Sequence, residues 1–181
     1  MAGADYNGIE GLIRITAAGD KLDDTFAIEV LAFHAALEVE LDIVLRALLI
    51  RPDAILKAKG KRLSFPQKAQ LLVALWKGDA EKADKLNVVL QAFEDLRNEV
   101  AHMGDEPLKS WKAKLDAAFR EIEPDTGDDP SLYEIAQGTA FYMADGHSVA
   151  DFVAAMNGLE KLVNATMPKI FGNKVEANGE A

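Results

Sequence analysis

The chain has 181 residues, of which 49% are apolar and 28% charged, a balance typical of a folded domain that can bury its own core. It contains no cysteine, which excludes disulfides, thiolate zinc sites and cysteine nucleophiles, and it has neither a recognisable signal peptide nor a stretch apolar enough to span a membrane. The formal charge of −10 argues against a broad nucleic-acid-binding surface, so the composition predicts a soluble cytoplasmic protein without membrane contact.

Residues 1–19 contain four glycines and little periodicity, which predicts a flexible N-terminal arm. A long amphipathic helix follows, because apolar residues recur at three- and four-residue spacing from Val30 to Leu48. Arg51 and Pro52 should end this helix, since the residue before a proline is pushed out of the α region. At about 1.5 Å per residue, the helix is long enough to run the length of a small helical bundle.

The sequence pattern after this helix predicts three more helices. Ser64–Gln67 has the pattern of a helix start, with a proline at an early position, and Gly78 ends that helix. Apolar residues at helical spacing then run from Leu86 to Val100, and a fourth helix spans about Pro107 to Ile122.

The C-terminal third of the chain is less uniform. Residues 131–143 fit either a short helix or a pair of strands, and a last amphipathic helix starts near Ser148. Residues 173–181 should form a flexible tail. Long helices joined by short connections predict an all-α fold, an antiparallel bundle of about five main helices in a single domain over 20–172.

One stretch of the chain reverses the overall acidic charge. From Ala54 to Gly78 there are six basic residues and no acid. Two interpretations stay open: a solvated loop, or a local surface that binds a polyanion. The basic residues are Lys57, Lys59, Lys61, Arg62, Lys68 and Lys77.

The strongest functional signal is the segment Arg97–His102 near the end of the third predicted helix. A guanidinium matches phosphate oxygens, and a histidine can pass a proton near neutral pH, so this set of side chains suits a phosphodiester. Asn98 and His102 are stacked neighbours, whereas Arg97 and His102 lie about 140° apart around the helix. The alternative is structural: Arg97 pairs with Glu94, and His102 caps the end of its helix.

The other two histidines carry weaker signals. His34 lies four residues before Glu38, which predicts a buried or half-buried ion pair, and His147 is expected at the surface. Repeated Glu-x-x-His pairs of four-helix metal sites are missing, and so is a phosphate-binding glycine motif. We therefore expect no metal and no cofactor.

The order of these elements resembles the HEPN superfamily, helical domains of prokaryotic conflict systems and of some eukaryotic RNA-processing proteins. The resemblance is carried by a long N-terminal helix, by the segment Leu63–Leu72 with its phenylalanine, lysine and paired leucines, and by a helix that ends in Leu96–His102. Within that last segment, Arg97 precedes a polar residue and His102 follows after a gap of four residues. The resemblance extends over about Leu22 to His102.

The resemblance implies a homodimer in which two copies of the motif form one cleft, and a metal-independent endoribonuclease. His102 would activate the ribose 2′-hydroxyl or protonate the leaving oxygen, and Arg97 would hold the scissile phosphate. Asn98 would orient the histidine or the phosphate, and Glu38 or Asp42 from the first long helix would act as an orienting acid. Such a chain would be a toxin or defence effector, with an antitoxin or another partner protein.

The same resemblance assigns RNA contacts to the basic stretch, if that stretch flanks the cleft. The candidates are Lys57, Lys59, Lys61, Arg62 and Lys68. Two other functions stay open. One is a HEPN-like module that binds RNA or a partner protein without cleavage, and the other is a purely structural helical interaction protein.

Overall fold

The computed structural model describes residues 7–19, 26–56, 62–102 and 108–172, and all regular structure in these ranges is α-helical. None of the described helices is long and apolar enough to cross a membrane. The all-α class is thus confirmed for this part of the chain, with eight helices where about five main ones were predicted. In chain order they are α1 (Gly8–Gly19), α2 (Phe26–Leu48), α3 (Pro52–Leu56), α4 (Phe65–Leu75), α5 (Ala80–His102), α6 (Leu108–Arg120), α7 (Leu132–Tyr142) and α8 (Val149–Gly172).

Helix α2 is the central element, because it packs against α1, α4, α5 and α7. Its buried face follows the predicted three- and four-residue spacing, and α5 meets it with a matching apolar face. The fully buried residues of these two faces include Val30, Phe33, Leu37, Leu41 and Val44 from α2, and Leu86, Val89, Leu90, Phe93 and Leu96 from α5.

Helix α4 begins where the sequence predicted. Ser64 is its N-cap, and its backbone N–H donates to Oε1 of Gln67 at 2.9 Å, which satisfies a group that the helix itself leaves unpaired. Pro66 follows in the first turn, where a missing N–H is harmless. This start sets the position of Phe65 and Lys68, both of which are buried.

The N-terminal region differs from the flexible arm predicted for residues 1–19, because residues 8–19 form α1. This helix packs against α7 and α2 and buries Ile15. Gly8 allows the close approach: a Cβ there would lie 3.1 Å from the Cβ of Ala144 and 3.2 Å from the carbonyl oxygen of Phe141. At least one of the glycines that suggested a flexible arm is therefore a packing residue.

Helix α7 (Leu132–Tyr142) occupies the stretch 131–143, which resolves the choice between a helix and a strand pair. Ser131 caps α7 in a capping box: its hydroxyl accepts from the N–H of Glu134 at 3.2 Å, and its own N–H donates to the Glu134 carboxylate at 2.8 Å. Gly138 in this helix makes room for the ring of Phe119 from α6.

The chain divides into two compact units, residues 1–148 and 149–181, whereas the sequence predicted one domain over 20–172. The second unit contains α8, which starts one residue after the predicted Ser148. Its apolar residues, among them Phe152, Met156 and Leu159, have exposed side chains.

Candidate functional site

The predicted motif lies in the last two turns of α5, and its Asn98 is connected through Glu94 to His34 of α2. Arg97 and Asn98 are both half-buried there. His102 is the last residue of α5, and its side chain lies outside the described residues. The structure therefore describes the arginine and asparagine part of the motif.

A chain of side-chain hydrogen bonds connects Arg97 to helix α2. Nη1 of Arg97 donates to Oδ1 of Asn98 at 2.9 Å, and Nδ2 of Asn98 donates to Oε1 of Glu94 at 3.2 Å. The other carboxylate oxygen of Glu94 lies 2.5 Å from Nε2 of His34. We call these four residues, Arg97, Asn98, Glu94 and His34, the α2–α5 polar chain.

The polar chain bears on the structural alternative for Arg97. The structural alternative paired Arg97 with Glu94, but the two oxygens of Glu94 bind Asn98 and His34, and Arg97 bonds to the neutral amide. A guanidinium has five N–H donors, and one of them binds Asn98. Among the described residues, the Arg97 side chain therefore bonds to an amide and to no carboxylate.

His34 has a different partner from the predicted one. Its side chain is 8% exposed and binds Glu94, whereas Glu38 acts on it only as a more distant charge. Burial lowers the pKa of His34 from its ordinary value, Glu94 opposes this shift, and the Arg97 cation adds to it. A carboxylate accepts hydrogen bonds, so this contact favours the forms of His34 that carry a proton on Nε2.

The ring of Phe65 covers His34 from the α4 side, with the two ring centroids 4.2 Å apart. This contact places the start of α4 directly beside the polar chain. It gives the phenylalanine in the Leu63–Leu72 segment a structural purpose, because the ring shields the His34–Glu94 pair from water and strengthens their interaction.

The two acids predicted to orient His102 have another partner. Nζ of Lys68 lies 2.7 Å from Oε1 of Glu38 and 3.0 Å from Oδ1 of Asp42. The Lys68 side chain is 8% exposed and its ammonium pairs with both acids, while its contact with RNA stays a prediction. Physically, a buried ammonium needs anionic partners, and the i,i+4 spacing of the two acids on α2 supplies both.

The remaining basic candidates divide into two groups. Arg62 is described and exposed. The predicted RNA contacts of Lys57, Lys59 and Lys61 lie outside the described residues. The structure therefore brings Lys68, Glu38 and Asp42 next to the polar chain, and leaves Arg62 as the described exposed candidate.

A separate groove of about 640 Å³ lies where the start of α2, α6 and the loop before α7 meet. Its central cation, Lys112, is already bound: Nζ lies 2.6 Å from Oδ1 of Asp116 and 2.7 Å from the carbonyl oxygen of Pro130. Because these partners hold Lys112, its positive charge is not available to an anionic ligand in the groove.

Among the residues that the structure describes, no group of three or more histidine, aspartate or glutamate side chains is arranged to hold a metal ion.

Sequence reasoning missed the part that Glu94 and His34 play in this site. The sequence contained a signal for the bond between Glu94 and Asn98, because the two residues are four apart, the spacing of side chains that bond along a helix. The contact between His34 and Glu94 had no such signal, since 60 positions separate the two residues.

Comparisons with protein-family models, with curated proteins and with solved structures found no match. The function assigned to these side chains therefore rests on their own chemistry and geometry.

Proposed function

We propose that the chain is a HEPN-like antiparallel helical bundle that acts as a metal-independent endoribonuclease, with Arg97, Asn98 and His102 of two copies forming a composite site in a homodimer. The observation that carries the proposal is the bonding of Arg97. Its side chain donates to the Asn98 amide and to no acid among the described residues, so its charge is available for a phosphate.

In this proposal Arg97 holds the scissile phosphate and stabilises the charge that grows on it in the transition state. Glu94 holds Asn98, and Asn98 holds Arg97, so the guanidinium is oriented before RNA binds. His102 takes the proton of the ribose 2′-hydroxyl or gives one to the leaving oxygen. Arg97 and His102 lie about 140° apart around one helix, and a second copy of α5 brings an arginine and a histidine to the same phosphate.

The cellular part of the proposal is a toxin or defence effector in the cytoplasm, held inactive by an antitoxin or another partner protein. The acidic charge of −10 fits such control, because RNA is repelled from most of the surface and must be recognised at a limited site.

A second candidate function is a HEPN-like module that binds RNA or a partner protein without cleavage. One observation favours it: Lys68 is bound to Glu38 and Asp42, so its charge is less available to RNA and the site has acids beside it. Phosphate binding near two carboxylates is weakened by like-charge repulsion.

The test is RNA cleavage in the presence of EDTA by the wild type, Arg97→Ala and His102→Ala. Arg51→Ala and His147→Ala are the matched controls, because both of these residues are exposed. We expect each site variant to lose about 10²-fold or more in kcat and each control to cleave like the wild type. Equal cleavage by all five proteins, or none by the wild type on several RNAs, would overturn the enzyme proposal, and RNA binding without cleavage would support the second candidate.

Subunit mixing tests the composite site. If Arg97 of one copy works with His102 of the other, mixing the two inactive variants forms heterodimers with one intact site, and cleavage returns to part of the wild-type rate. A mixture that stays inactive after subunit exchange, verified with differently tagged chains, would show that the two residues act within one chain or not at all.

A further inference from the structure

We propose that His34 is a positioning residue of this site, which acts on Arg97 through Glu94 and Asn98 and couples its own protonation to the binding of an anion at Arg97. The proposal rests on the proposed function for the identity of the anion, a phosphodiester of RNA. Its geometry rests on the α2–α5 polar chain alone.

The polar chain is continuous from one end to the other. The three contacts measure 2.5 Å from His34 to Glu94, 3.2 Å from Glu94 to Asn98, and 2.9 Å from Asn98 to Arg97. Glu94 is its branching point, because one oxygen binds the imidazole and the other binds the amide that holds the guanidinium. A change in the charge of His34 is therefore felt by the same carboxylate that orients Arg97 through Asn98.

Protonation of His34 changes the electrostatic surroundings of Arg97. When His34 is neutral, the negative charge of Glu94 lowers the positive potential at Arg97, although the described contacts join the two side chains only through Asn98. When His34 is protonated, it pairs with Glu94 as a cation, and the attraction between Glu94 and Arg97 is offset by the new positive charge. An anion should then bind Arg97 more tightly, because the site as a whole has gained one positive charge.

The coupling must also work in the opposite direction. The Arg97 cation lowers the pKa of His34, so an anion that neutralises Arg97 should raise that pKa. By thermodynamic linkage, the factor by which protonation strengthens anion binding equals the factor by which the anion strengthens protonation. This reciprocity can be measured from both sides.

Most other charges near His34 are compensated within the described residues, but Oε1 of Glu99 on α5 is buried and has no hydrogen-bond partner among them. On α2 the nearest acid is Glu38, which is bound to Lys68 of α4. On the other elements packed against α2, Arg14 of α1 is bound to Glu40, and Asp53 of α3 to Arg46. Helix α7 meets α2 with the ring of Tyr133 against Phe33. The polar chain is thus the route by which the charge of His34 reaches the proposed anion site.

A purely structural function for His34 predicts a different result. If the His34–Glu94 pair only joins α2 to α5, its loss would lower stability and leave the pH dependence of anion binding unchanged. If His34 acts on Arg97, removing the titrating group removes a pH-dependent part of the affinity while the protein stays folded. The pH profile of binding therefore separates the two.

The probe is a 2′-O-methyl RNA oligonucleotide, which has no 2′-hydroxyl and cannot be cleaved by the proposed reaction. Its affinity is measured by fluorescence anisotropy from about pH 8 to about pH 5, a range that brackets the ordinary histidine pKa. The proteins are the wild type, His34→Gln, Arg97→Ala and the double variant, with His147→Gln as the matched control for loss of a histidine outside the polar chain. Glutamine keeps an N–H donor for Glu94 but cannot titrate.

We expect the wild-type affinity to rise about five- to tenfold more than that of His34→Gln as the pH falls, which is the lower end of typical couplings between sites. His147→Gln should follow the wild type. In the Arg97→Ala background, His34→Gln should have no further effect on the pH profile. Parallel pH profiles for the wild type and His34→Gln, or no binding by the wild type at any pH, would overturn the proposal.

A measurement on the wild type alone covers the case in which His34→Gln does not fold. Imidazole NMR spectra should show the Nε2–H tautomer for neutral His34, and saturation with the oligonucleotide should raise its pKa. A pKa that stays the same or falls on binding would overturn the coupling. The two proposals can fail separately. A wild type that binds the oligonucleotide with this coupling but does not cleave RNA contradicts only the endoribonuclease. A wild type that cleaves RNA, with a pH profile of binding that is the same in His34→Gln, contradicts only the coupling.

Discussion

Nε2 of His34 lies 2.5 Å from a carboxylate oxygen of Glu94, and this contact joins the middle of α2 to the second half of α5. The two side chains are 8% and 13% exposed, so the pair is sheltered from water. Glu94 also holds Asn98, which holds Arg97. The same pair therefore contributes to the packing of the two longest helices of the first unit and to the orientation of the proposed phosphate-binding residue.

The free energy of unfolding should depend on pH through His34. Burial lowers its folded-state pKa below the ordinary value of 6.5, so the unfolded chain takes up a proton at higher pH than the folded chain does. Stability should therefore fall as the pH drops from 6.5 through the folded-state pKa, and this contribution is constant above 6.5. Urea unfolding of the wild type and His34→Gln over this pH range checks the prediction, and a stability difference that does not change with pH would contradict it.

Removal of Arg97 should raise the pKa of His34. The guanidinium charge disfavours the imidazolium, so Arg97→Ala removes a repulsion of like charges. The free energy of unfolding should change by only about 1 kcal/mol, because Arg97 is half-buried and gives up one hydrogen bond to an amide. NMR titration of the imidazole and urea unfolding measure the two effects, with Arg51→Ala as the control. An unchanged pKa, or a stability loss well above this amount, would indicate that Arg97 mainly serves the fold.

Periodicity alone was enough to predict the long helices. Apolar residues at three- and four-residue spacing identified α2 and α5, and the pattern from Ser64 to Gln67 identified the start of α4. These signals work because each residue reports which face of its own helix is buried. They are local, and the described structure confirms them.

What the sequence could not supply were relationships between distant elements. The glycines near Gly8 suggested a flexible arm, because the atoms that Gly8 approaches closely belong to Phe141 and Ala144, far away in the sequence. His34 was assigned to Glu38, its neighbour on the same helix, because no pattern connects it to Glu94. For Lys68 the sequence offered a solvated loop or an RNA contact, because its burial depends on how α4 meets α2. In each case the missing information was a tertiary contact.

The ion pairs of Lys68 with Glu38 and Asp42 should contribute unequally to stability: loss of the acids should cost more than loss of the lysine. Lys68 is buried, whereas Glu38 and Asp42 are 41% and 40% exposed. Lys68→Met leaves two acids that can turn toward water, and we expect a loss of about 1 kcal/mol or less. The double variant Glu38→Gln and Asp42→Asn leaves a buried ammonium without a counter-charge, and we expect a loss of about 3–5 kcal/mol. Urea unfolding compares the two variants, and equal losses would contradict the burial argument.

The ion pair between α1 and α2 should show the same kind of asymmetry. Glu40 is 1% exposed and binds two nitrogens of Arg14, at 2.6 and 2.8 Å, whereas Arg14 is 38% exposed. Arg14→Met leaves the buried carboxylate without this guanidinium, so it should cost about 3 kcal/mol or more. Glu40→Gln leaves Arg14 able to reach water and Glu10, and should cost less. Chemical denaturation gives both values, and a larger loss for Glu40→Gln would contradict the prediction.

Gly138 in α7 should not accept even one added methyl group. A Cβ at this position would lie 2.6 Å from the ring of Phe119, so Gly138→Ala forces the ring or α7 to move and should cost about 1–3 kcal/mol. Gly127→Ala is the matched control, because a Cβ there has nothing within 4 Å, and it should change stability by about 0.5 kcal/mol or less.

The clash between Gly138→Ala and Phe119 can be isolated with a double variant. Phe119→Leu shortens the side chain that the new methyl group would strike, so the loss caused by Gly138→Ala should be smaller in that background, by about 0.5 kcal/mol or more. Urea unfolding of the wild type, the two single variants and the double variant gives this coupling directly. Additive losses would mean that the cost of Gly138→Ala arises elsewhere in α7 and not from the Phe119 ring.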